Sequence, residues 1–457
     1  MTQRLRHLAI PLFLLACLVA GGASAAGYWA NLALQLAALP IIVAAAIDRR
    51  GTPLPAEARQ ALILLAALVA LILVQLVPLP PAIWTHLPGR GPVAAGFTLL
   101  GLPLPWLPIS LEPYRTIASA LWLLPAVAAF VGIATLGLYR ASWIAWVLAG
   151  VSLVSVALGA LQRAGGEQSG VYLYQITNFG VMTGFFANAN HLGTLLIATI
   201  PFLAGLYLNA VRKGRSLQKS SGLLIVLAGT AMILVVGLVG ATSLAAIGIA
   251  VPVTVASGML VYSARRRLPA WTVAVLALVL AASVAAVFAS PFDNNLTGNS
   301  AYRNEDSRRT SFTLTAGAAR DFLPLGSGIG SFQEVYRTRE NPATIDRYYM
   351  NHSHGDYFEI ALETGIPGLL LVIAFVAWWL RRSIALWRDP DADPFAKAAT
   401  IAIGAILAHS IVDYPMRTAA VSAVFAVACG LIAAPRPRQS GRSSGKGKRG
   451  ARHLSAD

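Results

Sequence analysis

The sequence predicts an all-α polytopic membrane protein with about twelve transmembrane helices and both termini on the cytoplasmic side. Three observations predict it. Of 457 residues, 56% are hydrophobic and only 12% charged, about half the charged share of an ordinary soluble domain. Many uncharged apolar runs reach about 18 residues or more, the length that crosses a bilayer. Threaded in order, these runs put the basic clusters of the short loops on one face, as the positive-inside rule demands.

Arg4 and Arg6 precede an apolar run that starts at Leu8. Ala23-Ser24-Ala25 has the look of a signal-cleavage site, but the run passes with little break into the next. It is read as an uncleaved first span. The expected spans are 8–26, 28–47, 60–77, 116–138, 142–161, 191–211, 222–239, 243–262, 269–289, 365–380, 398–413 and 416–434. With the N-terminus inside, Arg49-Arg50, Arg140, Arg212-Lys213, Arg265-Arg266-Arg267 and Arg381-Arg382 all lie in inner loops. The chain then divides into 1–289 (nine spans with short loops), a large outer loop 290–364, three spans in 365–434 and a basic tail 435–457. The tail is too polar to bury a core and suits an anionic inner leaflet. It carries no interleaved aromatics for stacking on bases, so the net charge of +16 is not a nucleic-acid signature. Cys17 and Cys429 sit in apolar runs and form neither a metal spacing nor a disulfide framework.

Three polar knots interrupt this pattern at the outer ends of spans. Asn351-His352-Ser353-His354-Gly355-Asp356-Tyr357 closes the large loop. His354 is expected near the first turn of a helix over about 353–363, where a neutral imidazole can take a proton from a hydroxyl. Solvated or cap-satisfying histidines are the alternative. The second knot is Asn188-Ala189-Asn190-His191. An Asn there suits a helix cap, which leaves the other Asn and the His to explain. The third is His409, Asp413 and Arg417. His409 and Asp413 are four apart, on one helical face, and ionisable groups in a span face the bundle or a wet cavity. An interhelical hydrogen bond without chemistry would also account for them.

Within the large loop, Asp306 or Ser307 can cap a helix bearing Phe312, Ala316, Ala319 and Phe322 at helical spacing and stopping at Pro324. Gly326, Gly328 and Gly330 follow with no strand before them, so they are read as a tight, closely packed turn and not as a nucleotide loop. Arg303, Arg308 and Arg309 lie just before or within that helix. Guanidinium forks match phosphate oxygens in pairs; pairing with Glu305, Asp306 or lipid headgroups is the competing reading.

These stretches together resemble the O-antigen ligase and polymerase family of bacterial inner-membrane glycosyltransferases. The resemblance covers roughly 142–434. It is carried by Gly184 to Leu192 with its Asn188, Asn190 and His191, by Arg308 with Phe312 four residues on, and by Pro324 to Gly330. The most specific stretch is His352 to Tyr357 followed by Glu359, Glu363, Gly365 and Gly368; His409 to Pro415 with Arg417 is similar to some members. The resemblance implies a helical membrane fold of the GT-C-like type, with short helices in a long periplasmic loop and the active site facing the periplasm. It implies a glycan donor on undecaprenyl diphosphate and an acceptor hydroxyl on lipid A-core (ligase) or on another glycan (polymerase). No cofactor or metal is expected. His354 would be the base and Arg308 the diphosphate ligand, with Arg309 beside it. The family's Ser-Arg-Gly reads Ser243-Leu244-Ala245 here, so Arg417 and Arg303 are expected to supply the missing cation. Asn188, Asn190, His191, His352, Asp356, His409 and Asp413 are expected to support them. A transporter or flippase is the alternative of another class; such proteins place their sites at the bilayer midplane on broken helices, whereas these clusters lie at span ends.

Overall fold

The computed structural model describes residues 6–24, 27–48, 54–213, 217–263, 269, 271–289, 304–342 and 350–434. These residues are mostly helical, with one two-residue antiparallel ladder, β1 (Pro78–Leu79) with β2 (Leu107–Pro108). Among the described residues, eight helices are long and apolar enough to cross a membrane. They are α2 (Tyr28–Ile47), α3 (Ala56–Gln75), the joined pair α6 (Pro113–Trp122) and α7 (Leu124–Ala134), α8 (Ala141–Ala164), α9 (Ala189–Arg212), α10 (Leu217–Gly240), α11 (Leu244–Ser263) and α15 (Asp356–Arg388). Three apolar helices are shorter: α1 (Ala9–Ala20), α16 (Pro394–His409) and α17 (Ala419–Ala433). Another apolar helix, α12, spans Trp271–Ala289. Each overlaps a stretch that the sequence marks as a span, but α15 runs beyond 365–380 at both ends and takes in the helix expected at the end of the large loop.

The short ones are short for a reason. α16 ends at His409, four residues before the expected boundary, and α17 starts only at Ala419. The chain between them leaves helical geometry to wrap polar groups. His409 and Asp413 therefore do not share one continuous helix; a turn links them, in which the Asp413 N–H donates to the His409 carbonyl at 3.0 Å. α1 stops at Gly21-Gly22, where a side chain on Gly22 would meet the Phe185 carbonyl oxygen at 2.1 Å.

α9 is the central helix and is buried on nearly every side, against α8, α10, α11 and α16. It is mostly apolar, as a helix buried on nearly every side is. Its hydroxyls are satisfied locally: Thr199 bonds the Leu195 carbonyl and faces Ser152 of α8 at 3.0 Å. α17, rich in Ala and Val, packs closely on α7, the small-residue mode of membrane helix association.

Between α3 and α6 lies a Pro- and Trp-rich segment. It holds two short helices, α4 (Pro81–Trp84) and α5 (Gly91–Leu99), and is pinned by the Trp84 Nε1–H on the Pro105 carbonyl at 2.8 Å. From the large loop, α13 (Asn304–Phe322) and α14 (Phe332–Arg337) lie on the start of α15. Ala318, Phe322, Phe332, Val335, Tyr336 and Leu362 make a separate small core there. The turn between α13 and α14 has positive φ at Gly326, Gly328 and Gly330. It packs as tightly as the sequence predicts: a Cβ on Gly328 would come within 2.6 Å of three Ser110 atoms. α15 is broken at Gly365, whose φ of 58° and ψ of −147° lie outside helix. A Cβ at Gly365 would sit 2.1 Å from the Pro324 carbonyl oxygen, so only glycine admits this approach.

Candidate functional site

The first turns of α15 place Asp356, Glu359 and Glu363 on one face, at i, i+3 and i+7. All three are buried. Buried like charges are costly unless paired and hydrogen-bonded, and here they are. Arg417 stands among them, with Nε 3.4 Å from Asp356 Oδ1, Nη2 3.3 Å from Glu359 Oε1 and Nη1 3.3 Å from Glu363 Oε2. Ser410 Oγ donates to Asp356 at 2.8 Å. The Ser353 N–H donates to Glu359 at 3.1 Å, and His352 Nδ1 lies 2.8 Å from its other oxygen. The Gly330 N–H donates to Glu363 at 2.8 Å, so the glycine turn is part of the site's frame.

Beside this cluster stand four histidines from three distant stretches. Asn188 caps α9, its side chain accepting from the Asn190 N–H at 2.8 Å. That explains one Asn of the second knot, and its amide also donates to the Tyr414 hydroxyl at 3.4 Å. His191, in the first turn of α9, is buried with Nε2 3.7 Å from Asp413 Oδ2. His354 Nδ1 lies 3.6 Å from Asp413 Oδ1. His409 Nδ1 is 2.8 Å from the Thr194 hydroxyl. The Tyr414 ring meets His352, His191 and His354 at centroid distances of 4.6, 5.2 and 5.3 Å. His354 sits just before α15, not inside it, with a left-handed φ of 55°. That conformation is uncommon for a residue with a Cβ and recurs where function imposes strain.

A cavity of about 800 Å³ opens beside the cluster. His352, Glu359, Glu363 and Arg417 line its polar end, with Arg115, Gln333 and Arg337. The rest of its wall is apolar and comes from α3, α6–α7, α15 and α17, reaching Ala61 and Cys429. An amphiphile with a polar head and a long tail fits such a space.

The structure thus brings together His191, His352, His354, Asp356, His409, Asp413 and Arg417, with Asn188 and Asn190 at the edge. Arg303 lies outside the described residues, and for Arg308 and Arg309 the structure describes the α13 backbone but not the side chains. α13 itself is tied to the histidine turn, Ser311 Oγ donating to the Ser353 carbonyl at 3.2 Å. Two arginines at the cavity were missed. Arg115 bonds Gln333 and Glu334 at 2.8 and 2.9 Å, and Arg337 lies 3.4 Å from Glu334. The available signal was topological: Arg115 falls on the face opposite the basic clusters. Among the described residues no three His, Cys, Asp or Glu side chains are grouped to hold a metal ion.

Residues 228–373 match the family model described as O-antigen ligase. The matched stretch runs from α10 into α15 and takes in the glycine turn, His352, His354 and the three carboxylates. Asn188–His191 and His409–Arg417 lie outside it, and the fold brings them to it. No curated protein matches the chain. The match supports the O-antigen ligase family for this chain.

Proposed function

We propose that this chain, of the O-antigen ligase family, transfers a glycan from undecaprenyl diphosphate to an acceptor hydroxyl at the periplasmic face of the bacterial inner membrane. The observation that carries the reading is His354. It has a left-handed backbone, stands 3.6 Å from a buried carboxylate, and follows His352, which lines a cavity with a polar end and an apolar wall.

The chemistry is a displacement at the anomeric carbon. His354 takes the proton of the acceptor hydroxyl as its oxygen attacks. Asp413 orients the imidazole and stabilises its charge, as the carboxylate of a triad does. The bond from the anomeric carbon to the diphosphate oxygen breaks, and the electron pair leaves with the lipid diphosphate. Arginines meet that charge, so the step demands no metal. From the sequence, Arg308, Arg309 and Arg303 are assigned this task, with Arg417 at the polar end of the cavity. The apolar wall takes the first part of the polyprenyl tail. Lipid A-core is the proposed acceptor; elongation of a second lipid-linked glycan uses the same steps.

The test is a deletion strain complemented with wild type or His354→Ala and scored for surface glycan. The variant is expected to give none. Accumulation of full-length lipid-linked polymer marks a ligase, and single repeat units mark a polymerase. Normal surface glycan with His354→Ala would end the reading.

A further inference from the structure

His352 and His354 are two residues apart yet face different spaces. In an extended strand, residues i and i+2 point the same way. The left-handed turn at His354 breaks that alternation. His352 lines the cavity; His354 does not, and its Nδ1 looks toward Asp413. The Tyr414 ring packs against both imidazoles.

His352 is also held in a defined orientation. Its Nδ1 is 2.8 Å from Glu359 Oε1, and the other oxygen of that buried carboxylate accepts from the Ser353 N–H. A carboxylate so engaged, with Arg417 3.3 Å away, accepts and does not donate. Nδ1 therefore carries the hydrogen, and Nε2 is left for whatever occupies the cavity. The charged groups around the ring are Glu359 from α15 and Arg417 from the segment before α17, with the titratable carboxyls of Asp356 and Glu363 beside them. His354 and, across Tyr414, His191 are further titratable neighbours. Farther along the mouth, Arg115 and Arg337 share one carboxylate, Glu334.

We propose that the two histidines divide the reaction: His354 serves the acceptor, and His352, held by Glu359, is the donor-side group that protonates the departing diphosphate. This rests on the transferase reading above. When the bond to the anomeric carbon breaks, its electron pair stays on the phosphate oxygen, and the proton on His352 Nε2 passes to that oxygen. The proton taken from the acceptor ends on His354. Both histidines reset by exchange with water at the mouth. An anionic ligand beside Nε2 favours the imidazolium, so donor binding takes up a proton, and by linkage low pH tightens binding.

The experiment uses the full chain in lipid nanodiscs and undecaprenyl-diphosphate N-acetylglucosamine as probe, a diester that stays fully ionised across about pH 5 to 8. Affinity of the wild type is expected to fall about tenfold as pH rises through that window. His352→Gln should bind weakly with no pH dependence. His354→Gln should keep the wild-type profile. The assignment is overturned if His352→Gln keeps the wild-type profile, if His354→Gln abolishes it, or if the wild type binds without pH dependence or not at all. Transfer to an acceptor is assayed in parallel. Binding that follows His352 in a protein that transfers no glycan would sink the transferase reading and the proton-delivery step with it, leaving His352 as the anion contact.

Discussion

Arg417 Nη1 lies 3.3 Å from Glu363 Oε2 across 54 residues of chain. This contact ties the irregular segment after α16 to the helix that carries most of the candidate site. Through the other oxygen of Glu363 it reaches the glycine turn as well.

Replacing Arg417 with Gln leaves three buried carboxylates without the cation they share. The expected cost is about 3–5 kcal/mol, as for breaking a buried pair from one side. A fall in thermal midpoint of the purified protein should accompany loss of transfer. Adding Glu363→Gln to that variant should restore part of the midpoint, because one uncompensated charge goes with it.

His354→Asn keeps a residue that tolerates the left-handed backbone and removes the base. Transfer is expected to drop by about 10²–10⁴-fold, with donor affinity within about twofold of wild type. Unchanged turnover would show that another group deprotonates the acceptor.

Asp413→Asn leaves the shape of the side chain but removes the charge next to His354 and His191. Turnover should fall at least about tenfold, and the thermal midpoint should move little. A variant as active as wild type would separate Asp413 from the reaction.

Gly365→Ala has to place a Cβ 2.1 Å from the Pro324 carbonyl oxygen at a φ of 58°. A loss of more than about 1 kcal/mol is expected from the backbone strain and the collision together. Gly222→Ala, with nothing within 4 Å of its Cβ, is the control and should be neutral or slightly stabilising.

Leu371→Trp adds bulk to the apolar wall of the cavity. It should weaken binding of a long-chain polyprenyl diphosphate more than that of a short-chain one. Equal effects on both would place the tail elsewhere.

The helices were legible because membrane length and loop charge are strong signals. Their ends were not. α16 stops early at His409 because the polar groups of Ser410 and Asp413 turn the chain inward, and hydropathy does not register that. The three knots could be read because ionisable groups are conspicuous in a chain this apolar. That they meet at Tyr414 could not be read, since it depends on how α9, α15 and α16 pack. Glu359 and Glu363 were visible as motif letters, but their union around Arg417 needed the helical face and the cation in one view. Arg115 and Arg337 gave no local pattern at all.

α16 and α17 have 16 and 15 residues, so each is about 24 Å long or less, against about 30 Å of hydrocarbon. The irregular chain between them, which buries Asp413 and Tyr414, takes up that shortfall, so ionisable groups sit at a level where the neighbouring, longer helices are still apolar.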